Sequence, residues 1–286
     1  MRIVVTGARG QLGFDCIREL KERGYSDIIA IDKDDLDLTD EKAVKSFIIK
    51  TKPDVVMHNA AWTMVDEAEK YPELVKKINV DAAKYLAESA ENVGAKIVYI
   101  STDYIFPGAG NKYYEINDTA KPLSVYGQSK FDGEKAVSIC KKSFIVRISW
   151  AFGINGNNFV KTMLKLGKTN LELAIVSDQI GSPTYTRDLS KLLCDMIETD
   201  KYGIYHATNE GVCSWADFAK EIFKHSNLDV TVLPISTKEY LSLKPNQATR
   251  PLNSRLSKKS LDDAGFRRLP SWQDALKRFL KELQVI

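Results

Sequence analysis

Thr6-Gly7-Ala8-Arg9-Gly10-Gln11-Leu12-Gly13 is the stretch that decides the fold. It follows a run of β-branched residues, Ile3-Val4-Val5, and precedes an apolar pattern of helical period over 11–23. Glycines at 7, 10 and 13 allow a tight turn, let backbone approach a pyrophosphate, and let a helix pack closely on its strand. The helix start then offers free N–H groups and a positive dipole end to phosphate. A glycine pattern alone says little, but between a strand and a helix it predicts a dinucleotide site. Gly7, Gly10, Gln11, Leu12 and Gly13 are its candidate residues.

Outward from this turn, apolar runs at 28–31, 55–57, 97–100 and 144–148 alternate with helical patterns at 42–50, 72–94 and 125–139. That alternation predicts right-handed crossovers and a parallel sheet covered on both faces. After Trp150 the rhythm breaks into polar loops, shorter helices and short strands near 202–206 and 230–233. The expected fold is α/β: a Rossmann-type doubly wound parallel sheet with a smaller C-terminal α/β substrate lobe. The dinucleotide-binding domain is placed at 1–150, with the chain returning to it within 171–205. The remainder of 151–286 is mainly the substrate-binding lobe.

Composition narrows the function classes. With 286 residues, 44% hydrophobic and 28% charged, the chain is neither disordered nor fibrous. A net charge of +3 excludes a strongly basic nucleic-acid coat. No apolar run approaches the ~18 residues of a membrane span, and the N-terminal run reaches its glycine turn too soon for a secretory signal. Cys16, Cys140, Cys194 and Cys213 lie far apart without a C-x-x-C pair, and the three histidines are equally scattered. No disulfide framework, zinc site or histidine metal centre is expected, and a reduced cytoplasmic chain is. The charge is uneven: the segment from Lys238 onward carries +6 and the rest −3. That points either to an anionic ligand or to solvated helix faces.

Several residue types in this frame suggest chemistry. Asp32 follows the second strand, where a carboxylate can accept from both adenosine ribose hydroxyls and favour NADH. Arg9 and Lys33 could instead neutralise a 2′-phosphate and favour NADPH, so both cofactors stay open. Asp37-Leu38 falls where a loop could contact adenine, or where a turn simply precedes a helix. Tyr126 and Lys130 share a helix face at i and i+4. A neighbouring ammonium lowers a tyrosine pKa from ~10, and such a phenol can protonate a carbonyl oxygen as hydride reaches its carbon. Thr102 directly follows the fourth strand, at the sheet end where ligands bind, and its hydroxyl can bond the same carbonyl.

Together with Asn59-Ala60-Ala61, Ser101-Thr102-Asp103-Tyr104 and Arg147-Ile148-Ser149-Trp150, these motifs resemble the extended short-chain dehydrogenase/reductases. Within them the chain is most similar to the group that reduces nucleotide-linked 4-keto-6-deoxy sugars. The similarity continues through Gly156-Asn157-Asn158-Phe159, the 178–184 stretch and Arg250-Pro251-x-Asn253-Ser254-x-Leu256, so it spans essentially the whole chain. The resemblance implies Thr102, Tyr126 and Lys130 as a catalytic triad. It adds Asp32, Asp37, Leu38, Ala61, Trp62 and Thr63 to the cofactor contacts, alongside Tyr126 and Lys130. It assigns Thr102, Asp103 and Trp150 to the sugar nucleotide, dTDP-4-dehydro-L-rhamnose. Arg250 and Arg255 become the candidates to meet phosphate or line the closing lobe. Lys258, Lys259, Arg267, Arg268, Lys277, Arg278 and Lys281 read as solvated helix faces. Asn79 matches an asparagine that supports the active-site helix.

Some members of the family bind a divalent cation between subunits through glutamates. Asp15 and Arg187 stand near those places here, and no metal is expected; a homodimer stays open. Three other readings compete. A dehydratase would need Asp-Glu after the threonine, where this chain has Asp103-Tyr104. An epimerase, or a reductase of another nucleotide 4-keto-6-deoxy sugar, could use the same triad. A non-catalytic regulatory subunit, like that of methionine adenosyltransferase, would have no need of it.

Overall fold

The computed structural model describes residues 1–286. Strands β1 (Ile3–Thr6), β2 (Ile28–Ile31), β3 (Val55–His58), β4 (Lys96–Thr102) and β5 (Ser143–Ile148) come first. They alternate with helices α1 (Gln11–Glu22), α2 (Glu41–Thr51), α3 (Val65–Ala68), α4 (Pro72–Lys76), α5 (Ala82–Val93) and α6 (Val125–Val137). Further along lie β6 (Ala151–Phe152), α7 (Phe159–Gly167), β7 (Glu172–Val176), β8 (Ile180–Gly181), β9 (Thr184–Tyr185), α8 (Thr186–Ile197), β10 (Gly203–His206) and α9 (Trp215–His225).

The main sheet runs β10-β5-β4-β3-β1-β2, with every pair parallel. From β1 the chain steps one way to β2, then back past β1 to β3. The crevice therefore opens at the carboxyl ends of β1 and β3. Side chains alternate between the two faces. Ile3 and Val5 pack with Leu12, Cys16 and Leu20 of α1 and Leu189 and Leu193 of α8. Val4 packs with Val44 and Ile48 of α2 and Leu86 and Ala90 of α5. Burial on both faces explains why β1 and β3 are apolar up to their last residues, Thr6 and His58, rather than alternating. A second core gathers Phe152, Phe218, Phe279 and Trp272 between α7, α9 and the Trp272–Glu282 helix. No helix is long and apolar enough to cross a membrane.

Two expectations change. The 72–94 pattern is not one regular helix, because a π-helical turn at Lys77–Asp81 separates α4 from α5. A single extra residue of this kind is invisible to a 3.6-residue period, and it sets the buried Asn79 at its centre. The basic C-terminal segment is also not uniformly solvated. Lys258 is buried against the Tyr113 ring, and burial pushes its ammonium down to about 8. Arg278 forks onto the buried Asp188 carboxylate at 2.7 and 2.6 Å.

Helix α6 sits unusually close to its neighbours. Glycine costs a helix ~1 kcal/mol relative to alanine, yet α6 holds two. A Cβ at Gly127 would run into the Tyr104 carbonyl oxygen, and one at Gly133 would lie 2.6 Å from the Asn79 carbonyl oxygen and against the Tyr99 hydroxyl. Gly133→Ala should therefore destabilise the protein by ~1–3 kcal/mol through overpacking. A urea titration checks this as a lower midpoint with unchanged slope.

Candidate active site

The glycine turn has the shape of a phosphate cradle. Gly7 has φ +62°, and a Cβ there would lie 2.8 Å from the Ala60 amide nitrogen. A Cβ on Gly13 would collide with the Gly7 carbonyl, which also accepts from the Gly10 N–H at 2.9 Å. No side chain caps α1, whereas Asp40, Ser124 and Asn158 cap α2, α6 and α7. The first-turn N–H groups of Gln11, Leu12 and Gly13 are thus left for an anion. The second part of the chain closes on this turn: Asn158 donates to the Gln11 carboxamide oxygen (3.0 Å) and Asn155 to the Arg9 carbonyl (2.6 Å).

Asp32 stands at the end of β2 and accepts from the Arg9 and Lys33 N–H groups, each at 2.9 Å. The Arg9 guanidinium lies among three carboxylates, 2.8 Å from Asp34 and 3.8 Å from Asp32 and Asp35. Asp37 turns back on Thr39, accepting from its N–H and hydroxyl, and these bonds hold its carboxyl below the usual range. Leu38 packs on the core beneath α2 and α5. Asp37 is thus engaged in its own turn and Leu38 with the core. Ala61, Trp62 and Thr63 form the loop after β3, beside the crevice. The cradle that a Cβ would fill, the uncapped helix start and the carboxylate at the end of β2 fit a dinucleotide.

The structure brings the proposed triad to one sheet end. Thr102 closes β4; its hydroxyl donates to the Asp103 carboxylate at 3.1 Å and accepts from the Tyr104 N–H at 3.2 Å. Tyr126 lies in the first turn of α6, edge-on to the Tyr104 ring at 5.6 Å. Burial pushes its phenol up to about 12, opposed by the Thr102 hydroxyl. The Lys130 ammonium sits over the Tyr99 ring at 4.0 Å, and burial pushes it down to about 7, opposed by Glu134. The expected lowering of the tyrosine by its lysine is therefore not found: burial raises the phenol and lowers the ammonium, each disfavouring its charged form. A phenol held protonated is the form that donates to a carbonyl oxygen. Burial likewise raises the Asp103 carboxyl to about 7, and its Oδ2 has no partner.

Asn79 joins the two halves of the site. Its Oδ1 accepts from the Trp62 N–H (2.8 Å), and its Nδ2 donates to the Trp62 carbonyl (3.2 Å) and the Ser129 hydroxyl (2.9 Å). The loop after β3 is thereby pinned to α6 one residue before Lys130. Arg250 reaches the site's edge but is committed to Asp66 at 2.8 Å, whose other oxygen accepts from the Ala248 N–H at 2.9 Å. Arg255 bonds Asn253 at 2.9 Å. Trp150 leaves β5 at φ +50° with its indole stacked on Trp215. Asp15 is buried and accepts from Thr186 at 2.5 Å, while Arg187 bonds Glu19 at 2.8 Å and also Glu22. No three His, Cys, Asp or Glu side chains gather as a metal site.

Sequence reasoning missed Glu134, Asp66, His58 and Trp215. Glu134 lies four residues after Lys130, a helical spacing that could have shown it. His58 bonds the Thr6 hydroxyl at 2.8 Å and is pushed down to about 3 by burial and by Lys130, so it stays neutral beside that ammonium. The lowered Lys130 carries a stability signature. Below pH ~7 the folded and unfolded chains both hold its proton and the burial penalty is complete; between ~7 and ~10.5 only the unfolded chain binds it, so stability rises with pH. Lys130→Met should be more stable than the parent below pH ~7, and its advantage should fade toward pH ~10.5, measured as Tm against pH.

Comparison with known proteins gives a consistent picture. The RmlD substrate binding domain family matches residues 1–285. The chain is 42% identical to the spore coat polysaccharide biosynthesis protein SpsK of Bacillus subtilis strain 168, over 98% of this chain and 97% of that one. The solved dTDP-4-dehydrorhamnose reductase of Clostridium acetobutylicum aligns with TM-score 0.95 and 42% identity, covering 99% of this chain and 100% of that one. The Bacillus anthracis enzyme of the same name, solved with NADP, aligns with TM-score 0.94 and 44% identity over 98% and 99%.

Proposed function

The chain belongs to the RmlD substrate binding domain family, and from that premise we propose that it reduces the C4 ketone of dTDP-4-dehydro-L-rhamnose to dTDP-L-rhamnose with NADPH or NADH. One observation carries the reading: the half-buried, protonated phenol of Tyr126 and the Thr102 hydroxyl lie together at the sheet end beside an uncapped glycine turn. When bound, the dinucleotide supplies the hydride. Tyr126 holds the proton that passes from its hydroxyl to the ketone oxygen as C4 is reduced. Thr102 donates to that same oxygen and polarises the carbonyl. Lys130 holds the nicotinamide ribose and supplies positive charge near the phenol. The uncapped start of α1 holds the pyrophosphate, with Gly7, Gly10 and Gly13 leaving it room. Asp32 orients the adenosine ribose, and Arg9 offers a cation to a 2′-phosphate. Asp103, Trp150 and Arg250 contact the sugar nucleotide. Tyr104, whose phenol burial raises, follows Asp103 and is a poor base for removing a C5 proton. Four buried, unpaired cysteines support a reducing, cytoplasmic setting.

Oxidation of NADPH or NADH in the presence of dTDP-4-dehydro-L-rhamnose, with product stereochemistry read by NMR, tests the assignment. No turnover with either cofactor would refute it. Tyr126→Phe should lower kcat by ~10²–10⁴, and an undiminished rate would remove Tyr126 from its role. Arg250→Ala should raise the sugar-nucleotide KM by about tenfold with kcat nearly unchanged, the pattern of lost ground-state binding.

A further inference from the structure

We propose that Trp215 is a positioning residue: stacked on the Trp150 indole, and with Gly181 close against the same ring, it holds Trp150 so that its Nε1–H is presented to the sugar nucleotide. The inference rests on the reductase reading above and adds to it the geometry of sugar-nucleotide recognition.

The two indoles are stacked, with centroids 3.7 Å apart and planes 14° from parallel. A Cβ on Gly181 would lie 2.9 and 3.0 Å from Trp150 Cε2 and Cζ2, so only a glycine leaves room for the ring where it stands. Trp215 is itself fixed: its Nε1–H donates to Gln179 Oε1 at 3.2 Å, Gln179 Nε2 donates to the Thr237 hydroxyl at 3.1 Å, and Phe159 packs on the ring at 4.6 Å. Trp215 occupies the face on which it stacks, so no sugar or base can stack there. Its donor remains. The Trp62 N–H bonds the Met64 carbonyl, that of Trp215 bonds Gln179, and that of Trp272 is sealed in the core. The Trp150 N–H alone is neither bonded within the chain nor sealed. The backbone supports the same view. Trp150 has φ +50°, rare for a bulky residue, and such strain persists only where the surroundings hold it. The stacked Trp215 supplies that hold.

The test compares Trp215→Ala, Trp215→Phe and Gly181→Ala with the parent enzyme. Trp215→Ala and Gly181→Ala, which each disturb the seat of the Trp150 ring, should each raise the sugar-nucleotide KM about tenfold while the NADPH KM stays unchanged; Trp215→Phe, which keeps a ring over Trp150, should restore most of the loss. In protein labelled with ¹⁵N-tryptophan, the Trp150 indole signal, identified by its disappearance in Trp150→Phe, should shift when dTDP-L-rhamnose binds the parent. An unchanged KM in Trp215→Ala, or an unmoved Trp150 signal at saturation, would overturn the proposal. If the parent shows no turnover, the function reading fails first. The stack is then decided by the exciton-coupled circular dichroism of the two indoles: present in the parent and lost in Trp215→Phe if the stack is real, absent in the parent if it is not.

Discussion

Everything in the site hangs from one buried ion pair. Arg147 of β5 grips Glu134 of α6 with two parallel bonds, Nε to Oε1 at 2.9 Å and Nη2 to Oε2 at 2.8 Å. The Ser101 hydroxyl of β4 donates to Oε1 at 2.5 Å, and Arg147 spends another N–H on the Ile116 carbonyl at 2.9 Å. These contacts tie β5 to the two elements that carry the proposed triad, β4 and α6: Ser101 precedes Thr102, and Glu134 lies one turn beyond Lys130. A buried pair is a weak source of net stability, but deleting one partner costs ~3–5 kcal/mol because the other charge is stranded. Its larger effect is geometric, since the fork admits few orientations. It sets how α6 lies across β4 and β5, and so where Tyr126 stands relative to Thr102.

The second constraint is the π turn around Asn79. Its extra residue leaves the Asn79 carbonyl free to accept from the Tyr99 hydroxyl at 3.4 Å, while the side chain holds the Trp62 backbone and Ser129. Tyr99 also donates to the Lys130 carbonyl at 3.3 Å and lies beneath the Lys130 ammonium. The loop expected to touch the cofactor and the helix bearing the proposed catalytic pair are therefore one bonded unit. Gly127 and Gly133 make this affordable sterically, because α6 can seat itself only where no Cβ intervenes.

What was legible in the sequence was local. The glycine turn, the strand–helix rhythm, and the i, i+4 relation of Tyr126 and Lys130 all depend on neighbours in the chain, and residue type and spacing reveal them. What was hidden depends on distant contacts. Asp66 and Arg250 are 184 residues apart, and neither has a sequence feature that names the other. Lys258 and Arg278 look like solvated cations because composition cannot see the ring and the carboxylate that cover them. The tyrosine expectation failed for the same reason: spacing places a charge beside a phenol, but only packing says how little water is left to stabilise either.

Between the two cores the closing contacts are of unequal kinds. Asn155 and Asn158 bond the glycine turn through neutral amides that need no partner exchange. Asp66 and Arg250 meet as a partly buried pair through a single guanidinium nitrogen, with side chains 37% and 23% accessible. Guanidinium bonds to phosphate are by contrast short, frequently bidentate and stronger. Arg250 is thus ordered by Asp66 together with Gln247 and the Ala248 carbonyl. The diphosphate contact proposed for it would replace the Asp66 pair rather than add to it, and would order no side chain that is not ordered already.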